Sequence, residues 1–118
     1  MLNLTKTNII YYLSPHGKNV VREFILSLQK NQQAKIRRIL QLIYEYGVTS
    51  ANPHLKKLSG TPLWEIRILG KDSIRILYVI PGTNSILILH GFVKKTQKTP
   101  GKELNIALTR LQDWQNNH

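Results

Sequence analysis

The stretch LWEIRILGKDSIRILYVIPGTNSILILHGFVKKTQKT, residues 63–99, decides the fold of this chain. It is rich in Ile, Leu, Val and Tyr, and the turn sequences GKD and PGTN interrupt it twice. Short β-branched runs separated by turn residues are typical of an antiparallel meander. The pattern therefore predicts three strands, at residues 63–69, 73–80 and 85–93.

The lengths of the two turns predict which strand residues lie opposite each other. Directly opposed residues of an antiparallel pair point to the same face of the sheet. A three-residue first turn places Arg67 opposite Arg75, and a four-residue second turn places Arg75 opposite His90. A first turn of two or four residues would instead put Arg67 on the other face. Because opposed like charges cost stability, we expect an anion, or a partner that carries one, to meet this row.

The rest of the chain predicts one further strand and three helices. Residues 8–13 read as a strand, and apolar residues at helical spacing predict helices at residues 18–29 and 32–46, the second ending at Gly47. Residues 48–61 read as a loop. Thr99 as a capping residue and Pro100 as the first helical residue predict the start of the last helix.

The order β-α-α-β-β-β-α predicts a single α+β domain over residues 1–118. We expect two layers, with the helices packed on one face of a small antiparallel sheet. The two strand arginines belong on the other, partly open face.

Charge is the unusual feature of the composition. Seventeen Lys and Arg against six Asp and Glu give a formal net charge of +11. This balance favours a polyanionic partner such as nucleic acid, the ribosome or an acidic protein, although a merely soluble basic surface is the alternative. The chain has no cysteine, no apolar signal core and no apolar run long enough to span a membrane. We expect a cytoplasmic protein without a membrane partner.

The basic residues of the meander and of the tail behind it fit RNA cleavage without a metal. The six acids are scattered singly, and the sequence has neither zinc-ligand spacing nor a phosphate-binding glycine loop, so we expect no metal and no cofactor. In this reaction the 2′-hydroxyl attacks the adjacent phosphorus and leaves a 2′,3′-cyclic phosphate. Arginine suits the charge of the transition state, and histidine, with a reference pKa of ~6.5, suits proton transfer.

Two groups of candidate residues follow. The candidate catalytic residues are Arg67, Arg75, His90, Lys94 and Lys95. The candidate RNA- or phosphate-binding residues are Lys98, Lys56, Lys57, His54, Arg37 and Arg38. Each has a structural alternative: Arg67 as an ion-pair partner of Glu65 or Asp72, His90 as a hydrogen-bonded sheet residue, and the lysines and helix arginines as solvated surface.

Four motifs carry a resemblance to a known family. They are LWEIR, IRILY, HGFVKKTQKTP and ALTRLQDW. Over roughly residues 20–114 the chain resembles the RelE/ParE superfamily, and more narrowly its HigB branch with the phage-derived toxin-like relatives. The resemblance implies a RelE-like microbial RNase fold. By motif it assigns catalytic roles to Arg67, Arg75, Lys94 and Lys95. The chain departs from the better-known RelE members by lacking a tyrosine near the start of the last helix and by carrying Glu65 where a lysine often stands.

The resemblance also implies a biological role. It predicts a type II toxin that acts as an mRNA interferase, an endoribonuclease that cleaves mRNA on the ribosome and inhibits translation. Its partners would be a HigA-like antitoxin with a helix-turn-helix, and operator DNA only through the antitoxin complex. Two alternatives remain: a gyrase-inhibiting toxin of ParE type, against which the basic row argues, and a non-catalytic nucleic-acid- or antitoxin-binding module.

Overall fold

The computed structural model describes residues 6–70, 73–95 and 97–118, and confirms the α+β class. The elements are β1 (Asn8–Tyr11), α1 (Val20–Leu26), α2 (Lys30–Tyr46), a 3-10 turn (Val48–Ala51), β2 (Leu55–Lys57), β3 (Trp64–Ile68), β4 (Ile74–Val79), β5 (Ser85–Val93) and α3 (Gly101–Asn116). The first predicted turn includes residues 71 and 72, which lie outside the described residues, as does Asp72 as a partner of Arg67. None of the helices in the described ranges has the length and apolar character needed to cross a membrane.

Over the described residues the sheet has five strands in the order β1-β5-β4-β3-β2, and it is mixed. β1 pairs in parallel with β5, whereas the other neighbours are antiparallel, so the prediction of an antiparallel sheet was wrong at this edge. The long connection through α1 and α2 allows the parallel pairing, which a tight turn cannot make. β2 lies in the predicted loop; its three residues pair with β3 but are too few to show a strand period.

The register confirms one predicted pair and corrects the other. Arg67 lies opposite Arg75, as predicted, but Arg75 lies opposite Phe92 and His90 opposite Leu77. The predicted pair of Arg75 with His90 was therefore wrong. Two shifts of one residue each explain the difference: Val79 pairs with Leu87 rather than with Ile86 at the turn, and an irregularity beside Leu77 inserts one extra residue in β5. The length of the turn predicts neither shift. The displacement amounts to two residues, so His90 remains on the face of Arg75, where its ring stacks on Phe92 at 5.5 Å between centroids.

Helices cover both faces of the sheet, which corrects the prediction of helices on one face only. α1 and α2 pack on a core that includes Ile43, Ile66 and Ile76, whereas α3 packs on a second core that includes Leu77 and Leu87. The physical reason is that β4 and β5 are apolar on both faces, and each face needs a cover.

α1 approaches β5 closely because β5 carries a glycine at the contact. A Cβ placed on Gly91 would lie 2.5 Å from Cδ2 of Phe24 and 3.1 Å from Cδ1 of Ile76. Real side chains do not approach so closely, so this position admits the Phe24 ring only with glycine. Gly91, the glycine of the HGFVKKTQKTP motif, therefore allows α1 to pack closely on β5.

The start of α3 differs from its prediction. α3 begins at Gly101, with Pro100 in the N-cap position rather than inside the helix, and no side chain caps it. The Thr99 hydroxyl, predicted to cap α3, instead donates a hydrogen bond of 2.6 Å to Oε2 of Glu65 on β3. A buried carboxylate needs a donor more than an exposed helix end does, because water satisfies the helix end.

Candidate functional site

A basic cleft lies at the point where β4 begins and β5 ends. It has a volume of about 570 Å³ and is lined by Ser73, Arg75, Lys94, Lys95 and Gln97. The backbone N–H of Lys94 donates a 2.6 Å hydrogen bond to the Ser73 carbonyl, which holds the lysines beside β4. Three predicted site residues, Arg75, Lys94 and Lys95, therefore share one cleft, and none of the described residues that line it is acidic.

Arg75 is held by contacts with Glu65 and with the Ile74 carbonyl. Its side chain is 12% exposed, its Nε lies 3.1 Å from Oε1 of Glu65, and its Nη1 donates to the Ile74 carbonyl at 3.0 Å. The contact with Glu65 is an ion pair without the alignment of a hydrogen bond. These contacts engage Nε and Nη1 of the guanidinium group, while the side chain also lines the cleft.

Glu65 is a residue of this site whose role the sequence reasoning missed. Its side chain is 0% exposed, and its two oxygens face different parts of the chain: Oε1 faces Arg75 and Oε2 accepts from Thr99. Sequence reasoning considered it only as a partner of Arg67 and as a departure from the family pattern. The available signal was its position on β3, opposite Leu77 and therefore diagonal to Arg75 on the same face.

Arg67 shares a face of the sheet with Arg75, but its guanidinium group is directed toward the segment that precedes β2. Its backbone N–H donates to the His54 carbonyl at 2.7 Å, and its Nη2 donates to the Pro53 carbonyl at 3.1 Å. Within the ranges that the structure describes, its expected alternative ion pair with Glu65 is not formed, since Glu65 pairs with Arg75. Arg67 therefore lies next to the basic cleft without lining it.

His90 lies in a separate network that joins β5 to α3. Its Nε2 is 2.7 Å from Oε1 of Glu103, and its Nδ1 is 3.3 Å from Nη1 of Arg110, which also donates to the Leu89 carbonyl. Because arginine can only donate, Nδ1 accepts and the proton resides on Nε2, which donates to Glu103. Burial lowers the pKa of His90, and the hydrogen bond to Glu103 opposes this effect only in part. His90 does not line the basic cleft.

Comparison with known families supports this architecture. The family model described as Phage derived protein Gp49-like (DUF891) matches residues 23–112, which is more than half of the chain. The chain belongs to this family. The Gp49-like family is RelE-like and is associated with the toxins of toxin–antitoxin systems. A search among curated proteins found no match.

The other predicted basic residues of this Gp49-like protein lie outside the basic cleft. Lys56 and Lys57 are exposed on β2, where Lys57 bonds the Thr61 carbonyl and lies 5.9 Å from the centre of the Trp64 ring. Lys98 directly precedes Thr99, the residue that contacts Glu65. None of these three lysines is among the residues that line the cleft.

The remaining candidates lie toward α2. His54 and Arg38 line a shallow depression of about 240 Å³ together with Lys35, whose Nζ donates to the Leu69 carbonyl. Arg37 lines a different, mostly apolar groove between β1, α1 and α2, with Arg22 nearby. None of the predicted binding residues lines the basic cleft, and His54, Arg37 and Arg38 line other depressions on or beside α2. No three His, Asp or Glu side chains come together as a metal-binding set within residues 6–70, 73–95 and 97–118.

Proposed function

We propose that this Gp49-like protein is the toxin of a type II toxin–antitoxin system and a HigB-like mRNA interferase. It would cleave ribosome-bound mRNA in the cytoplasm without a metal. The observation that carries the proposal is the basic cleft, where Arg75, Lys94 and Lys95 converge. A concentration of positive charge of this kind attracts a phosphodiester and strengthens its binding as the phosphate gains negative charge.

The chemistry assigned to the cleft is transfer of a phosphodiester to the neighbouring 2′-oxygen. The 2′-oxygen loses its proton and bonds to phosphorus, the bond from phosphorus to the 5′-oxygen breaks, and the 5′-oxygen gains a proton. The products are a 2′,3′-cyclic phosphate and a 5′-hydroxyl. Arg75 would bind the non-bridging oxygens, because its planar donor fork matches two oxygens at once. Lys94 or Lys95 would hold the phosphate or protonate the leaving oxygen.

Proton abstraction from the 2′-hydroxyl is not assigned to His90 in this proposal. Both ring nitrogens of His90 have partners within the protein, and the residue is 9% exposed. A general base has to reach the proton that it removes. We assign His90 to holding α3 against β5, and Arg67 to the RNA that runs beside the cleft.

The proposal includes partners. A HigA-like antitoxin with a helix-turn-helix would neutralise the toxin and carry it to operator DNA, and the ribosome would present the mRNA. The net charge of +11 supports both an RNA surface and an acidic protein partner. Lys56, Lys57, Lys98, His54, Arg37 and Arg38 would contribute to these longer-range contacts.

The decisive experiment is primer extension on translated mRNA in cells that express the wild type, Arg75→Ala or Arg22→Ala. Arg22 is a matched control, since it is an arginine that lines the apolar groove and not the basic cleft. We expect discrete cleavage sites with the wild type and Arg22→Ala, and their loss with Arg75→Ala. Equal cleavage by all three proteins would show that the active site lies elsewhere.

A non-catalytic toxin of ParE type, or a binding module, is the second candidate. The observation that favours it is the groove of about 690 Å³ between β1, α1 and α2, where Leu26 and Tyr44 are exposed large hydrophobic residues. Exposed apolar surface of this kind is typical of protein-binding sites. Inhibition of gyrase supercoiling with mRNA left intact would favour this candidate over the nuclease.

A further inference from the structure

We propose that Glu65 is a positioning residue that orients the Arg75 guanidinium and attaches the lysine loop, whose described residues are 94, 95 and 97–99, to the same point of the sheet. The inference rests on the proposed function, since it concerns the same cleft. It assigns a role to the acidic residue on which the cleft is built.

Glu65 connects two segments that are distant in sequence. One oxygen contacts Nε of Arg75 on β4, and the other accepts from the Thr99 hydroxyl, which lies 34 positions further along the chain than Glu65. The lysine loop is attached at its other end as well, where the Lys94 N–H bonds the Ser73 carbonyl. Both ends of the loop that carries the cleft lysines are thus bonded to strands β3 and β4 or their immediate flanks.

The contacts of Arg75 indicate what the attachment achieves. Glu65 engages Nε and the Ile74 carbonyl engages Nη1. An arginine has five N–H donors, and among the described residues these two contacts leave the Nη2 donors for a phosphate in the cleft. An arginine held in this way loses little conformational freedom when it binds a phosphate, so its contact is pre-organised for the transition state.

The negative charge of Glu65 distinguishes a positioning role from a direct contribution to phosphate binding. A buried carboxylate next to the cleft cancels part of the Arg75 charge and repels the RNA phosphate, so Glu65 weakens ground-state binding. Its contribution to cleavage must then come from orientation. Replacement by glutamine keeps the shape and removes the charge, and therefore separates the two effects.

The experiment compares wild type, Glu65→Gln, Thr99→Val, Arg75→Ala and the double variant Glu65→Gln/Arg75→Ala in ribosome-programmed mRNA cleavage. We expect Glu65→Gln to lower kcat by about tenfold or more, with KM unchanged or lower. Thr99→Val removes the hydroxyl at constant shape and should lower kcat by a smaller factor. The double variant should cleave no more slowly than Arg75→Ala alone, because residues that act through one another are not additive.

A readout that needs no activity accompanies the kinetics. Nitrogen NMR of arginine-labelled protein should show separate Nη signals for Arg75 in the wild type, owing to restricted rotation, and their merging in Glu65→Gln. Thr99→Val changes no charge and provides the second test if Glu65→Gln does not fold.

The outcomes distinguish the two proposals. Absence of cleavage by the wild type contradicts the proposed function, and the NMR result then decides the positioning role alone. Any one of four results would overturn the role of Glu65. They are wild-type kcat in both Glu65→Gln and Thr99→Val, a raised kcat in Glu65→Gln, additive losses in the double variant, and merged Nη signals in the wild type.

Discussion

Arg67 and Arg75 lie directly opposite each other on β3 and β4, yet their guanidinium groups bond to different parts of the chain. Arg67 donates to the Pro53 carbonyl, whereas Arg75 pairs with the buried Glu65. Two like charges opposed on a sheet repel each other, and separate acceptors reduce that cost. The pair therefore divides into one arginine that lines the basic cleft and one that lies beside it.

This division predicts unequal effects of the two arginines on cleavage. We expect Arg75→Ala to lower kcat by about 100- to 1,000-fold, the usual cost of losing one donor to the transition state. The loss in Arg67→Ala should be smaller by at least about tenfold, because Arg67 does not line the cleft. Single-turnover cleavage of programmed ribosomes measures both. Equal losses would mean that the reacting phosphate lies between the two arginines.

The salt dependence of RNA binding should identify the lysines that contact phosphate. Lys94→Ala and Lys95→Ala should each reduce the slope of log affinity against log salt by about 0.7 on single-stranded RNA. Lys18, which is exposed and pairs with Glu23, provides the matched control and should leave the slope unchanged. Fluorescence anisotropy with a labelled oligonucleotide measures the slopes, and a fall in slope with the control variant would indicate diffuse rather than local binding.

The buried His90 should make stability depend on pH. Burial lowers its pKa in the folded state, so the unfolded chain binds the proton more readily. Stability from this group is therefore complete above the unfolded pKa of ~6.5 and declines as the pH falls through the lower folded value. We expect the difference in Tm between wild type and His90→Gln to shrink as the pH falls from 8 to 5 in thermal melts, because only the wild type has this histidine to protonate on unfolding. A difference that is constant with pH would show that His90 is not buried in its neutral form.

Gly91 tests the close packing of α1 on the sheet. Gly91→Ala places a methyl group 2.5 Å from Cδ2 of Phe24, and we expect a loss of about 1–3 kcal/mol in the free energy of unfolding. Gly82→Ala is the control, because its Cβ would meet Ser85 Oγ at 3.9 Å, and should change stability by less than about 0.5 kcal/mol. Urea denaturation measures both, and Phe24→Leu should restore part of the loss if the ring is the obstacle.

Local pattern was sufficient for most of the framework. The Ser85–Val93 strand was predicted at its exact bounds, and β3 and β4 lie within their predicted ranges. The α2 helix ends at Tyr46 before Gly47, whose φ of +94° suits glycine, as expected. The prediction of α1 was too long, because Asn19 caps it by accepting from the Arg22 N–H and the helix ends at Leu26. Such endpoints depend on single hydrogen bonds that a periodicity does not contain.

Other errors share a non-local cause. Three features depend on how whole elements pair and pack. They are the register of β5 that moves His90 away from Arg75, the placement of α3 on the second face, and the parallel pairing of β1. Thr99 illustrates the point: its sequence context is that of a helix cap, but its hydroxyl is used by Glu65.

What the sequence alone determined was the local framework: the strand periods, the turn that opposes Arg67 and Arg75, and the position of the lysines directly behind β5. Those features depend on steric preferences and spacing within a few residues. The tertiary structure decided which cations share a cleft and which acid pairs with Arg75. A buried carboxylate has to find its partners wherever the fold brings them, and the partners of Glu65 come from β4 and from the segment before α3.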